Sequence, residues 1–201
     1  MTHLSFEEIT EDDLKDLRSI SIKTFKQTFA AQNSSENVSL YLRNKMSIKQ
    51  LKQEACETNS KFYFIKKKNK IIGYTKLNFK GSQREKMYIN NGFEIERIYL
   101  ITEYQGVGVG KKILTKIFKI GKERGYRKLW LGVWEKNFKA INFYKKNNYK
   151  KVGKRKNYYR LLEGREDGLI YTKHMHLSSF VSISRFVLFF LRKIINFNRG
   201  Y

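Results

Sequence analysis

Four features are scarce in this sequence of 201 residues: cysteine, histidine, proline and long apolar runs. The single cysteine, Cys56, excludes an intramolecular disulfide. The three histidines, His3, His174 and His176, are too scattered for a catalytic cluster, and no motif supports a metal, flavin or nicotinamide site. Proline is absent, and the composition is rich in Lys, Asn and Ile, which indicates an A/T-rich genome. In the carboxy-terminal segment the longest fully apolar run, residues 186–191, is far shorter than the ~20 residues of a membrane-spanning helix.

Acidic residues are scarce as well. The chain has 18 Asp and Glu against 42 Lys and Arg, and its formal net charge is +24. Such a charge attracts anions, among them phosphate-bearing cofactors, nucleic acid and anionic lipid, and it repels a polycation at long range. Screening limits this field to about 8–10 Å at physiological ionic strength, so local carboxylates can still make a pocket negative.

The most informative motif is a glycine-rich turn between an apolar strand and a basic helix. A Walker-type phosphate loop would need glycine where Gln105 stands and Ser or Thr where Lys112 stands. A dinucleotide fingerprint that begins at the first glycine would need another glycine in place of Lys111. The sequence has instead the pattern Gln-x-x-Gly-x-Gly, ending at Gly108 and Gly110. Glycines let the backbone approach a ligand, and free N–H groups at a helix start bind phosphate. Alone, the pattern is a weak signal, and a glycine-rich turn without a ligand is the alternative.

The residues downstream of the turn favour a ligand-binding turn over a turn without a ligand. Lys128–Trp134 is a nearly unbroken apolar run, typical of a strand that is covered on both faces. A spaced motif follows it: Asn137, Ala140, Phe143 and Tyr144. Together with the glycine turn, this segment resembles the GCN5-related N-acetyltransferases (GNAT). Asn148 and Tyr149 stand where that family usually has Gly and Phe, and Asn tolerates the left-handed conformation that ends a helix.

Longer phrases are similar to the bacterial polyamine acetyltransferases of the PaiA type, which are spermidine/spermine N-acetyltransferases. These phrases are residues 24–25, 28–29, 32–34, 95–99, 130–137 and 143–146, and the resemblance extends from about residue 3 to about residue 175. It implies an α/β (α+β) GNAT fold, a mixed, twisted central sheet with helices on both faces. It also implies acetyl-CoA as co-substrate and a primary amine, above all spermidine or spermine, as acceptor. The alternatives are a peptide or protein N-acetyltransferase and a basic non-enzymatic binding protein on the same scaffold.

The same resemblance implies how CoA is held. The acetyl carbonyl would lie against backbone N–H groups of the strand before the turn, and the pyrophosphate would lie against the turn. The pantetheine or nucleotide would contact the helix after the second strand. Carried over to this sequence, the contact residues are Ile98, Tyr99, Leu100, Gln105, Gly106, Val107, Gly108, Val109, Gly110, Lys111, Asn137, Phe143 and Lys146.

Catalysis needs a base, because a primary ammonium with a pKa near 10 cannot attack a thioester until it loses a proton. Glu94 and Glu96 lie two residues apart and should share one face of their strand, which we expect to be the face of Ile98. Glu96 is the preferred base, with Glu94 and a water chain as alternatives. By resemblance Tyr144 is the general acid for the CoA thiolate, although it could instead be a packed aromatic. Glu135 is a candidate electrostatic partner for a cationic substrate.

The apolar pattern predicts seven strands, at residues 4–9, 62–67, 70–79, 93–101, 128–134, 149–156 and 168–175. The second and third should form a hairpin with its turn at Lys68 and Asn69. A helix is predicted over residues 107–124, and further helices should begin at Asp12 or Asp13, at Ser35 and at Ser47. Residues 80–91 read as a polar loop that could border a substrate mouth. These elements assign residues 1–176 to one acetyltransferase domain.

Residues 177–201 form an extension of different character. From residue 178 onward, apolar residues recur at helical spacing, and the basic residues have no acidic partner. Three interpretations stay open: a helix on an anionic membrane surface, a clasp that forms a homodimer, or an unselected extension. The lysines on the outer face of the helix at residues 107–124 are interpreted as solvated surface, so nucleic acid is not an expected partner. The single cysteine, and the lack of a charged-then-apolar segment over residues 1–6, predict a cytoplasmic protein.

Overall fold

The structure, a computed structural model, describes residues 3–82, 91–161 and 164–175. Within these residues the strands are β1 (Leu4–Glu8), β2 (Ser60–Lys67), β3 (Lys70–Asn78), β4 (Gly92–Leu100), β5 (Lys128–Trp134), β6 (Lys150–Leu161) and β7 (Gly164–His174). The α-helices are α1 (Leu14–Phe29), α2 (Ser35–Lys45), α3 (Ile48–Ala55), α4 (Val109–Glu123) and α5 (Phe138–Lys146).

The seven described strands form one mixed sheet in the order β1-β2-β3-β4-β5-β7-β6. Only β4 and β5 are parallel, and α4 makes the crossover connection that a parallel pair requires. Helices α1 and α3 pack on one face, where Phe29 contacts Tyr99 and Glu54 contacts Lys76. Helix α4 packs on the other face, where Gly121 lies against the ring of Phe93. The predicted fold class, a mixed sheet with helices on both faces, is confirmed.

The two parallel strands separate part-way along their length. Their register ends at Ile95 and Leu131, although β4 continues to Leu100. On the other side of β4 the N–H of Ile101 donates to the carbonyl oxygen of Ile72 on β3, at 2.9 Å. Because these groups alternate along a strand, the N–H groups of Leu100 and of Ile98 before it point away from β3, into the opening. The sheet thus presents backbone donors to a gap between β4 and β5.

Strand β4 also contains a bulge. Lys76 of β3 pairs with Arg97 and Leu77 pairs with Ile95, so that Glu96 is an extra residue on β4. A bulge interrupts the alternation of side chains between the two faces of a sheet. Before the bulge, Phe93 faces α4; after it, Tyr99 faces α1, although a strict alternation would have put both on one face.

Most local predictions hold within a few residues. Lys68 and Asn69, the predicted hairpin turn, both have positive φ (48° and 62°), and the Ser47 side chain caps α3 as predicted. Helix α2 is capped by Ser34 instead of Ser35, because it is Ser34 that accepts the N–H of the residue three positions on. The last two strands are longer than predicted, since β6 and β7 continue as a hairpin beyond the end of β5.

Candidate active site

The glycine turn leads directly from β4 into α4. Gly106 and Gly108 have φ of 79° and 80°, in the left-handed region that favours glycine. Gly108 is the residue immediately before the first turn of α4, and a Cβ added to either glycine would meet no atom within 4 Å. The first N–H groups of a helix have no partner within the helix, and the helix dipole favours an anion there. The turn is therefore an open, solvent-facing site suited to a phosphate group.

The Gln105 side chain holds the turn in place from both sides. Its Nε2 donates to the carbonyl oxygen of Leu100 at 2.6 Å, and its Oε1 accepts from Nζ of Lys139 at 2.7 Å. Leu100 ends β4 and Lys139 lies in the first turn of α5. The side chain thus connects the end of β4 with the helix that follows β5, which leaves the backbone of the turn to meet a ligand.

Helix α5 packs against the start of α4. The side chain of Asn137 caps α5 by accepting the N–H of Ala140 at 3.1 Å. A Cβ added to Gly110 would lie 3.0 Å from the ring of Phe143, so Gly110 permits close packing of the two helices. Asn148 ends α5 with φ of 63°, which confirms the predicted left-handed conformation. The contact between Gly110 and Phe143 brings α5, the helix predicted to contact CoA, next to the glycine turn.

Tyr144 is buried in this helix pair, with 6% of its surface exposed. Its ring makes edge contacts with Phe143 and Tyr149, each at 5.4 Å between ring centroids. Burial raises the pKa of Tyr144 above its ordinary value. The hydroxyl is therefore protonated at neutral pH and able to donate a hydrogen bond, while a tyrosinate is more costly to form than in water.

The two candidate bases, Glu94 and Glu96, share one face of β4, as expected, but Ile98 does not lie on that face. Asn78 Nδ2 donates to Glu94 Oε2 at 3.0 Å and to Glu96 Oε2 at 2.7 Å, so one amide holds both carboxylates. They lie on the α1 and α3 side with Arg97, whereas Ile98, which pairs with Thr75, lies on the opposite side. The expectation that they share the face of Ile98 is corrected, because the bulge at Glu96 shifts the alternation.

Comparison with known proteins identifies the chain. A model of the Acetyltransferase (GNAT) family matches residues 19–149. The chain belongs to the GNAT family. An uncharacterized N-acetyltransferase from the pepI 3′ region of Lactobacillus delbrueckii subsp. lactis is 38% identical over 144 residues, which cover 72% of this chain and 83% of that protein. This GNAT protein is thus an N-acetyltransferase, with acetyl-CoA as co-substrate.

Two further comparisons concern proteins of Thermoplasma acidophilum. The spermidine N(1)-acetyltransferase of that organism is 27% identical over 151 residues, which cover 73% of this chain and 88% of that protein. The crystal structure of its PaiA N-acetyltransferase in complex with coenzyme A superposes with a TM-score of 0.69 at 24% identity. That superposition covers 86% of this chain and 99% of the other, and it establishes the shared fold.

Sequence reasoning missed the residues that surround the two glutamates in this GNAT domain. Lys76 Nζ lies 2.9 Å from Glu96 and 3.0 Å from Glu54, a residue of α3 that is itself buried. Burial alone would raise the pKa of Glu54, but Arg97, Lys76 and the hydrogen bond from Gln50 together outweigh it, and this pKa lies below its ordinary value. A lysine in the interior of β3, followed directly by Leu77, was the signal in the sequence. Glu54, in a helix rich in Lys and Gln, gave none.

An aromatic group lines the α1 side of the opening. The ring of Phe29, at the end of α1, lies 6.3 Å from that of Tyr99 on β4 and 5.9 Å from that of Trp134 on β5, between centroids. Phe29 therefore spans the two strands where they have separated. Glu135, the candidate partner for a cationic substrate, pairs with Lys154 at 3.1 Å, so part of its charge is already compensated.

Some sequence predictions fall outside the described residues: most of the polar loop at residues 80–91, His176, and the extension at residues 177–201. Among the residues that the structure does describe, no helix is long and apolar enough to span a membrane.

Proposed function

We propose that this N-acetyltransferase transfers the acetyl group of acetyl-CoA to a primary amine of a polyamine, spermidine or spermine. The observation that carries the proposal is the buried carboxylate pair, Glu94 and Glu96, held by Asn78 beside the opening between β4 and β5. Buried carboxylates provide both a base and an attraction for an ammonium group. The similarity to a spermidine N(1)-acetyltransferase supports the same acceptor class.

The net charge of +24 does not contradict a cationic acceptor. The buried cluster behind the opening contains three carboxylates, on Glu54, Glu94 and Glu96, against the cations of Lys76 and Arg97. With ordinary ionisation its charge is negative. Screening over about 8–10 Å weakens the field of the distant lysines more than the field of these close carboxylates.

Acetyl-CoA would occupy the glycine turn and the opening. Its pyrophosphate would meet the backbone of Gln105, Gly106, Val107, Gly108, Val109, Gly110 and Lys111, and its pantetheine or nucleotide would contact Asn137, Phe143 and Lys146. The acetyl carbonyl would accept from the N–H groups of Ile98 and Leu100, which point into the opening. Tyr99 would contribute its side chain, since its own N–H alternates toward β3.

In the chemical step Glu96 would accept the proton of the ammonium group, directly or through water. The neutral amine then attacks the thioester carbonyl and forms the new C–N bond. The nitrogen loses its second proton to solvent, and the C–S bond breaks as the thiolate leaves. Tyr144 would donate its hydroxyl proton, or a strong hydrogen bond, to the departing thiolate and recover the proton from solvent. The raised pKa of Tyr144 favours the hydrogen bond over complete transfer. Glu94 is the alternative base.

The test is CoA release by the purified protein with a panel of polyamines, diamines and N-terminal peptides. We expect the highest kcat/KM with spermidine or spermine. A preference for the peptides would establish the peptide N-acetyltransferase instead, and no turnover of any amine would refute the enzyme assignment for these acceptors. Glu96→Gln should lower kcat by roughly 10²–10⁴-fold. Glu123→Gln, the same change on the exposed face of α4, should leave kcat unchanged.

An enzyme that uses acetyl-CoA and a free polyamine would act in the cytoplasm. The extension at residues 178–201 is proposed to contact an anionic membrane surface, with a clasp that forms a homodimer as the alternative. Removing the extension should leave CoA binding intact and reduce binding to anionic vesicles, because each lost basic residue contributes about 1 kcal/mol near such a surface. Vesicle co-sedimentation and sedimentation velocity distinguish the alternatives. A clasp would change the sedimenting mass only, and an unselected extension would change neither.

A further inference from the structure

Glu54 and Glu96 share the same two cations. Lys76 Nζ lies 3.0 Å from Glu54 Oε2 and 2.9 Å from Glu96 Oε2. Arg97 Nη2 lies 2.9 Å and 3.0 Å from the two oxygens of Glu54 but 3.7 Å from Glu96 Oε1. Arg97 is thus engaged mainly by Glu54, and Lys76 is divided between the two carboxylates.

Burial and neighbouring groups keep Lys76 and Arg97 between the two carboxylates. The side chains of Glu54, Lys76 and Glu96 are each no more than 6% exposed, so water does not replace a lost partner easily. Gln50 of α3 donates to Glu54 Oε1 at 2.8 Å and thereby orients its carboxylate. The ring of Phe62 on β2 lies beneath both cations, with Lys76 Nζ 5.5 Å from its centroid.

The other charged and titratable described groups near the cluster come from several elements. Glu94 is held with Glu96 by Asn78, and the half-exposed Glu57, just after α3, lies 3.9 Å from Lys76. The hydroxyls of Tyr74 on β3 and Tyr41 on α2 are close enough to Arg97 to influence its ionisation. Within the described part of the chain, none of these groups contacts both Lys76 and Arg97, as Glu54 does.

We propose that Glu54 is a positioning residue for Glu96, which holds Arg97 and part of Lys76 and so determines how much positive charge Glu96 faces. This inference rests on the proposed function, in which Glu96 is the base. Without the charge of Glu54, both cations would act on Glu96 alone and make it a weaker base. Without Lys76, the opposite would follow, because Glu96 would lose its close cation while Glu54 kept Arg97.

The two changes therefore predict shifts of opposite sign. Glu54 and Glu96 are connected through one ammonium group, which places their oxygens about 6 Å apart at most. One charge at that distance, with the effective dielectric constant of about 20 that suits protein sites, changes a pKa by about one unit after partial relaxation. The acidic limb of the kcat profile, which reports the base in the enzyme–substrate complex, should move by that amount.

The experiment is the pH profile of kcat for acetyl transfer, with the best acceptor of the amine panel. Glu54→Gln should shift the acidic limb down by about one unit, and Lys76→Met should shift it up. Glu54→Asp keeps the charge and should restore most of the parent profile. Glu57→Gln removes the same charge at the half-exposed edge of the cluster and should shift the limb by less than about 0.3 unit, because solvent screens it.

The outcomes separate this inference from the proposed function. If the parent protein acetylates no amine, the proposed function fails and the inference fails with it. If turnover is intact but the limb does not move in Glu54→Gln, or moves as in Glu57→Gln, Glu54 is only structural and the inference is overturned. Should Lys76→Met not fold, the comparison of Glu54→Gln with Glu54→Asp still decides the question. A fall in thermal stability alone supports nothing, since any buried ion pair would produce it.

Discussion

Replacing Gly108 by Asp tests the CoA site most directly. Gly108 has φ of 80° and stands before the first turn of α4, and its missing Cβ would point into open space. A carboxylate here would lie where we propose that the pyrophosphate binds. Gly125, just after α4, has φ of 83° and equally open space. It offers the same backbone strain and the same steric freedom at the other end of the helix, and is a matched control.

The magnitude follows from two separable effects. A non-glycine residue in the left-handed conformation costs about 1–2 kcal/mol of folding free energy, and this cost should be similar at Gly108 and Gly125. A carboxylate about 5 Å from a phosphate repels it by about 3 kcal/mol at an effective dielectric constant of 20, and exposure to solvent reduces this to about 1–2 kcal/mol. Since 1.4 kcal/mol is tenfold in affinity, the Kd for CoA should rise by about 5- to 30-fold.

The assay is titration calorimetry with CoA, accompanied by unfolding in urea. Gly108→Asp should lose stability and CoA affinity, whereas Gly125→Asp should lose stability alone. Gly108→Asn has nearly the same size without the charge, and Asn tolerates the left-handed conformation, so its Kd should stay within about threefold of the parent. An equal Kd for Gly108→Asp and Gly108→Asn would refute the phosphate site at the glycine turn.

Three further predictions test the acid, the buried tyrosines and the packing of β4. Tyr144→Phe should lower kcat by roughly 10²–10⁴-fold and spare CoA binding, while Tyr149→Phe should not; parent-level turnover would make Tyr144 a packing residue. Burial raises the pKa of Tyr74 to about 12, so this tyrosine favours folding fully below pH 10 and loses that contribution as the pH rises through 12. Between pH 9 and 11.5 the free energy of unfolding, measured in urea, should therefore fall more steeply with pH in the parent than in Tyr74→Phe. Equal slopes of this free energy against pH would contradict the raised pKa. Gly73→Ala would bring a Cβ within 2.2 Å of the Tyr99 carbonyl oxygen and should cost at least about 2 kcal/mol of unfolding free energy by the same measurement.

The features that were predicted correctly from the sequence depend on neighbours in the chain. The hairpin turn at Lys68 and Asn69, the Ser47 cap and the left-handed Asn148 each follow from the conformational preferences of a few adjacent residues. The strand, turn and helix around Gly108 were recognisable for the same reason. A family resemblance carried by such local phrases is enough to predict the fold and the co-substrate.

The arrangement of the site depends on contacts between distant segments, and the sequence alone did not determine it. Arg97 shares the side of Glu96, and Ile98 does not, because β4 bulges in its pairing with β3. Pairing with another strand is not encoded in the local alternation of residues. Glu54 reaches Lys76 and Arg97 only when α3 packs on the sheet, 22 and 43 residues away along the chain. Local sequence thus determined the elements and the glycine turn, whereas the tertiary structure decided which charges meet, because burial alone forces them to share partners.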